Sequence, residues 1–331
     1  MRQALRCVGC FALVLGLVIL TGVSAEAGAK KTLKLGTVLP PDNVITLNAT
    51  EFAKRVNERA KGELEVVVYP NTQLGNERDM AEGMQLGTVE MAAISTGILT
   101  NFVPEVGVTG LPFIFRSWDH LEKVLRSPLA DQLSDMILKR TGIRTLGWWE
   151  QGFRVTITTR KPINSLQDLQ GLKIRLPEEK VLIRTFQLMK AAPTVVPWGE
   201  VYTSLQTGVV EGMESSPPGI FTMKFYEVAP YLAETNHQHA VVQLLVSDKV
   251  FQSLSKDVQD VIRQAAKEAT DINYRTARTA STASWDQLKA KAKQTTFPEL
   301  GPFREAVQPL FKEFGEQTKT HELIRQIQAV Q

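Results

Sequence analysis

Residues 63–95 read "ELEVVVYPNTQLGNERDMAEGMQLGTVEMAAIS", and the fold turns on how that stretch is parsed. "ELEVVVYP" reads as a strand. Asn76 is placed to cap a helix running to Leu86, because an asparagine side chain can accept from the free amides of a first helical turn. Gly87 ends that helix, since glycine takes the left-handed conformation that helix termini need. "VEMAAIS" then returns as a strand.

Upstream, "TLKLGTV" (Thr32–Val38) alternates like a strand, Pro40 and Pro41 break it, and Ile45–Ala60 carries apolar residues at helical spacing. The order strand, helix, strand, helix, strand predicts a mostly parallel sheet covered by helices. An echo lies 121 residues further on: "MQLGTVEM" (Met84–Met91) and "LQTGVVEG" (Leu205–Gly212) share glutamine, glycine, valine and glutamate, each at a helix-to-glycine-to-strand junction. The echo supports two similar lobes, and no low-complexity linker separates them.

The second half opens on "RVTITTR" (Arg154–Arg160), a period-two strand, followed by a loop and "DLQGLKIRLPEE" (residues 168–179). There Leu172, Ile174 and Leu176 alternate with Lys173 and Arg175 until Pro177, as in a half-buried strand. Taken alone, Arg175 would line the wet face of that strand. Pro177 can open a helix over Glu178–Lys190, with two glutamates at its positive end, and "APTVVP" is a short strand. Residues 248–292 read as helix long enough to bridge lobes, and Pro302–Val330 is a last helical region.

The chain has 331 residues, 43% hydrophobic and 22% charged, enough for two medium cores. Its 38 basic and 35 acidic residues are interspersed, which gives no footprint for nucleic acid. Arg2 and Arg6 precede an apolar run from Val8 to Leu20, and small residues follow near Ala25, so residues 1–25 read as a secretory signal peptide. Both cysteines, Cys7 and Cys10, fall within that segment. The mature chain then has neither disulfide nor thiol chemistry, and an exported, periplasmic location fits.

Dinucleotide, Walker, nucleophile-elbow and zinc-protease signatures are all missing. His237 and His239 would share one face of a strand, but no third ligand stands near, so no metal and no cofactor are expected. Trp148, Trp149 and Phe153 gather where a strand would begin at Arg154, while Arg175 lies near the end of another. In open α/β sheets ligands sit beyond strand ends, so these two arginines could converge on one anion.

"GFRVTITTRKPINSLQDLQGLKIRLP" and "PWGEVYTSLQTGVVEGMESSPPGIFTMKFYEVAPYLAETNH" resemble the solute-binding proteins of tripartite ATP-independent periplasmic (TRAP) transporters. The likeness extends over "FAKRVNERAKGELEVVVYPNTQLGNERDMAEGMQLGTVEMAAIS" and "LPFIF" (Leu111–Phe115). It implies an α/β, two-lobed periplasmic binding protein fold, each lobe a mostly parallel sheet flanked by helices, with a long helix bridging the lobes. One lobe would comprise residues 28–151 with about 241–280, the other 152–240 with about 281–331. The chain would close on an organic acid and deliver it to membrane permease subunits. Arg175 matches the family's carboxylate-clamping arginine, Arg154 a second arginine that reaches the ligand, and Trp198 an aromatic ligand position. The sialic-acid-binding pattern is broken at Ser215 and Ser95, where relatives carry asparagine and an acidic residue. With Trp149 and Glu214 added as candidate contacts, this departure points to a smaller or more apolar acid. Two other readings stay open on sequence: a hydroxy-acid lyase or isomerase with Glu150 or Glu214 as base, and a ligand-capturing protein serving a membrane sensor.

Overall fold

A computed structural model of the chain describes residues 31–331. The signal peptide expected at residues 1–25, with Cys7 and Cys10, lies outside the described residues. In chain order the strands are β1 (Lys31–Gly36), β2 (Leu64–Tyr69), β3 (Met91–Ser95), β4 (Ile143–Phe153), β5 (Val155–Thr158), β6 (Lys173–Leu176), β7 (Ala192–Val195), β8 (Gly212–Ser215), β9 (Tyr231–Ala233), β10 (His239–Ser247) and β11 (Gln294–Thr296). They form two sheets, ordered β2-β1-β3-β10-β4 and β11-β9-β5-β8-β6-β7. In the first, β10 runs against both its neighbours, and in the second β5 does so; every other pairing is parallel.

The stretch at 63–95 folds as its composition requires. Asn76 caps the helix Glu77–Leu86, accepting from the amides of Arg78 and Asp79, while the Asp79 carboxylate reaches back to the Asn76 amide. That reciprocal pair satisfies donors the first turn would leave free. Gly87 follows at φ 79°, and β3 starts four residues later. The echo adopts the same local form: Gly208 stands at φ 77° after the helix Val201–Gln206, and β8 begins at Gly212.

The chain passes between the sheets at two adjacent places. β4 runs into β5 through Arg154, whose amide donates to Gln238 O at 2.8 Å, and Gln238 lies on the return path from β9 to β10. "GWWEQGF" is therefore strand throughout, where the sequence suggested only the start of one. Its residues do not alternate because β4 is covered on both faces, one by the helix Pro128–Thr141 and the other by the helix Lys256–Lys291. This 36-residue helix is the third connection, and a shorter helix, Asp248–Gln252, precedes it.

One core packs around the first sheet. The second sheet has a cluster on each face, around Met213, Ile220 and Phe225 on one and Ile174, Phe186 and Phe303 on the other. The C-terminal helices touch both lobes: Phe303 and Val307 join the second sheet, while Leu310, Phe314, Leu323 and Ile327 join the first. Among the described residues no helix is long and apolar enough to cross a membrane.

Candidate functional site: an anion cleft at the strand ends

Parallel strands leave their carboxyl ends on one side of a sheet, where loops diverge and open a crevice. Here the crevices of the two sheets meet. A cavity of about 150 Å³ is lined by Val38 and Leu39 beyond β1, Ser95 at the end of β3, Arg175 and Pro177 on and after β6, Val195–Trp198 after β7, and Ser215 ending β8. Arg154 and Gln151 enter from the crossing strands, and Glu77 and Arg78 from the start of a helix.

β6 lies between β7 and β8, so Ile174, Arg175 and Leu176 are all buried and only Lys173 is exposed. Alternation sends Ile174 and Leu176 into the cluster around Phe186. Arg175 is sent to the opposite side, where its guanidinium stands 5.5 Å from the Trp198 ring. The wet-face reading of Arg175 is thus overturned: the residue is 2% exposed. Its Nε donates to Val196 O at 2.8 Å. Among the described residues no hydrogen-bond partner holds its terminal Nη groups, and the residue lines the cavity. Burial pulls its pKa down to about 10, so it remains charged at neutral pH.

Arg154 is spent differently. Its Nε bonds Glu214 Oε2, and its Nη2 reaches Oε1 at 2.7 Å and the Glu214 carbonyl at 3.3 Å. His237 Nε2 approaches the same carboxylate at 3.2 Å, and its Nδ1 lies 2.9 Å from Thr235 Oγ1. Burial would raise the Glu214 carboxyl, but Arg154 and His237 outweigh it and hold it at about 2. His237 is lowered by burial against the pull of Glu214, and so stays neutral, donating through Nε2 and accepting at Nδ1. Glu214 is therefore the internal counter-ion of Arg154 and does not line the cleft.

Ser95, Ser215 and Trp198 do line the cavity. Among the described residues the Trp198 indole N–H has no hydrogen-bond partner, and its ring meets Phe225 edge-on at 5.2 Å. Trp149 does not reach the cleft: it is fully buried in the first lobe and donates to Thr270 Oγ1 on the long helix at 3.1 Å. The neighbouring Trp148 donates to Ser134 Oγ at 3.0 Å. The two histidines do not share a face either. His237 packs against Phe186 in the second lobe, and His239 against Trp118 and Phe153 in the first. Among the described residues no group of three or more His, Cys, Asp or Glu is set to hold a metal.

Sequence reasoning missed Glu77 and Gln151. The half-buried Glu77 accepts the Ser95 amide at Oε1, 2.7 Å away. Desolvation raises its carboxyl, while that amide and the charges of Arg175 and Arg154 oppose the rise. The available signal was position: Glu77 opens the helix that follows β2, which puts it at a strand's carboxyl end. Gln151 was hidden because "GWWEQGF" was not recognised as a strand.

Compared with known proteins, residues 35–318 match the bacterial extracellular solute-binding protein family 7. The sialic acid-binding periplasmic protein SiaP of Vibrio cholerae is 34% identical over 90% of this chain and 92% of its own. Among solved structures, a TRAP periplasmic solute-binding protein from Polaromonas bound to D-erythronate superposes with a TM-score of 0.87 at 32% identity, covering 91% of this chain and 99% of that one. Another, from Sulfurospirillum deleyianum with bound succinate, gives 0.87 at 32% identity, covering 92% of this chain and 100% of that one.

Proposed function

This chain belongs to family 7 of the bacterial extracellular solute-binding proteins, and from that premise we propose that Arg175 is the side chain that grips its cargo. The protein is a periplasmic solute-binding component of a TRAP transporter; it captures a small organic acid, closes on it and hands it to the membrane permease subunits. It is a binding protein and not an enzyme.

The observation that carries the Arg175 assignment is a contrast between two buried arginines lining one cavity. Arg154 is neutralised by Glu214, whereas among the described residues no carboxylate holds the paired Nη donors of Arg175. A guanidinium can give two parallel hydrogen bonds to a carboxylate, a geometry lysine's point charge does not reproduce. Trp198 backs the guanidinium; Ser215, Ser95 and the remaining edge of Arg154 complete the polar lining.

The hinge falls where the chain passes between the sheets, at Arg154 and Gln238. On this reading residues 31–151 and 241–280 turn against residues 152–240 and 281–307, while the C-terminal part of the chain from Leu310 rides on the first lobe's core.

Calorimetry tests the clamp. Arg175→Ala should weaken binding of the acid roughly a hundredfold, about 2.7 kcal/mol, because a charged hydrogen-bonded pair is lost in a desolvated site. Arg175→Lys should recover only part of that. Affinity equal to the parent protein's in both variants would end the assignment.

A further inference from the structure

A second cavity, of about 420 Å³, opens as a groove where three helices meet. The helix Val44–Arg59, from the first lobe, presents Leu47 and Asn48 to it. The helix Pro217–Thr222, from the second, presents Pro218 and Thr222, and the long helix that joins the lobes closes it with Ile272 and Ala280. Small-molecule pockets are of this size, roughly 300–1,000 Å³, and are apolar with a few polar anchors. Here the anchor is Asn48. It is 3% exposed, and among the described residues neither its Nδ2 nor its Oδ1 has a hydrogen-bond partner. Leu47 beside it is 55% exposed.

A buried carboxamide with both ends unmatched carries a desolvation penalty that a partner of the right shape removes. That partner must supply an acceptor and a donor side by side. A carboxylate or ketone only accepts and an ammonium only donates, whereas a primary amide does both and meets the asparagine in either of its two orientations. Charge narrows the choice further. Asp42 and Glu51 stand on the rim, the latter paired with Arg55 at 2.8 Å, and among the described residues no lysine or arginine lines the groove. Anions are repelled there, the reverse of the cleft around Arg175.

We propose that this groove is a second ligand site, taking a small uncharged apolar carboxamide on Asn48, and that its occupant strengthens acid binding in the cleft. One run of hydrogen bonds joins the two cavities. Gln151, which lines the anion cleft, donates to Asn43 Oδ1 at 3.4 Å, and Asn43 Nδ2 donates to Thr222 Oγ1 at 3.2 Å. Asn43 is fully buried beside the first-lobe helix that it caps, while Thr222 belongs to the second lobe and lines the groove. An amide resting on Asn48 and Pro218 therefore touches both lobes in the arrangement that joins Asn43 to Thr222, as an acid does in the cleft. Ligands that favour one arrangement reinforce each other, and by linkage each raises the other's affinity by the same factor. The inference does not depend on which side chain holds the acid.

Ligand-observed NMR titrations of the mature chain with benzamide and acetophenone, which differ only by a methyl in place of the amide nitrogen, test the site. Benzamide should bind roughly tenfold more tightly. Asn48→Leu should erase that preference. Ala280→Leu fills the groove from a half-buried position and leaves Asn48 intact, so it should weaken both compounds. No saturable binding of benzamide, equal binding of the two compounds, or benzamide affinity unchanged in Ala280→Leu would each overturn the site. Calorimetry reads the coupling: saturating benzamide should tighten binding of D-erythronate or succinate, whichever the parent protein binds, by about fivefold. In Ala280→Leu it should leave acid binding unchanged. Unchanged or weakened acid binding in the parent would overturn the coupling.

Discussion

Two buried arginines of the same chain differ in whether a protein carboxylate neutralises them. Arg154 and Glu214 form a buried ion pair, with further bonds to the Glu214 carbonyl and from His237. Removing one partner of such a pair strands the other charge, so Glu214→Ala should lower unfolding free energy by about 3–5 kcal/mol. Arg175→Ala removes no protein ion pair, and its urea midpoint should move much less. Equal midpoints for the two variants would contradict this division. Glu150 offers a third case. It is 2% exposed, its Oε2 has no hydrogen-bond partner among the described residues, and His239 Nε2 stands 3.9 Å away. Burial pushes its carboxyl up to about 8 from an ordinary 4.5. The folded protein therefore holds a proton that the unfolded chain releases above 4.5. The resulting stability is full below that pH and is lost as pH rises through about 8, by up to about 1.4 kcal/mol per pH unit. Glu150→Gln should match the parent's melting temperature near pH 5 and exceed it near pH 8.5; identical profiles would mean that Glu150 ionises normally.

At the scale of elements, the sequence was most legible where local chemistry decides the structure. The capped helix Glu77–Leu86, its terminating glycine and β3 follow from side chains within reach of their own backbone. The echo repeats that logic, since Gly87 and Gly208 both adopt left-handed φ, at 79° and 77°. An added Cβ at Gly87 would meet nothing nearer than 3.5 Å, and one at Gly208 nothing nearer than 4.0 Å. The cost of alanine is then conformational alone, about 1–2 kcal/mol at each position, and equal within error by urea denaturation. A clearly larger loss at one site would break the equivalence of the two junctions. What local chemistry could not reveal was β4. Its Trp148 and Trp149 are apolar on both faces because helices cover both, so period-two alternation disappears. Those aromatics consequently looked like a site when they are core. Arg175 is the opposite error: alternation with Lys173 suggested solvent, and only its place between β7 and β8 makes it buried. The resemblance to a family singled out Arg175 as a ligand contact where periodicity pointed to solvent, and Glu77 needed the fold, because the two sheets must face each other before it becomes part of the cleft.

On the scale of the whole molecule, the segment that carries Arg175 also makes contacts across to the first lobe. Four residues after Arg175, Glu179 leaves the second lobe and enters the first. Its Oε1 accepts from Gln238 Nε2 at 2.7 Å, and the same nitrogen donates to Gly110 O at 2.8 Å. Beside it Glu178 ion-pairs with Arg78, and the Glu178 carbonyl accepts from Asn101 at 3.2 Å. Glu179 fits only because its hosts lack side chains: a Cβ on Gly97 would lie 2.2 Å from Oε2, and one on Gly110 2.5 Å from Oε1. If these contacts belong to the closed arrangement, a ligand on Arg175 shifts the population by favouring the state that makes them. Gly97→Ala then becomes a test of coupling, since Gly97 does not line the anion cavity and its backbone needs no left-handed φ. The added methyl should expel the Glu179 carboxylate and weaken closure, lowering acid affinity by about tenfold, or ~1.4 kcal/mol. Small-angle scattering should show the parent contracting when saturated with D-erythronate or succinate, whichever it binds, and Gly97→Ala contracting less at equal saturation. Unchanged affinity and an unchanged contraction would show that the slot holds Glu179 in every state of the protein, so that closure is governed by the ligand's own contacts alone.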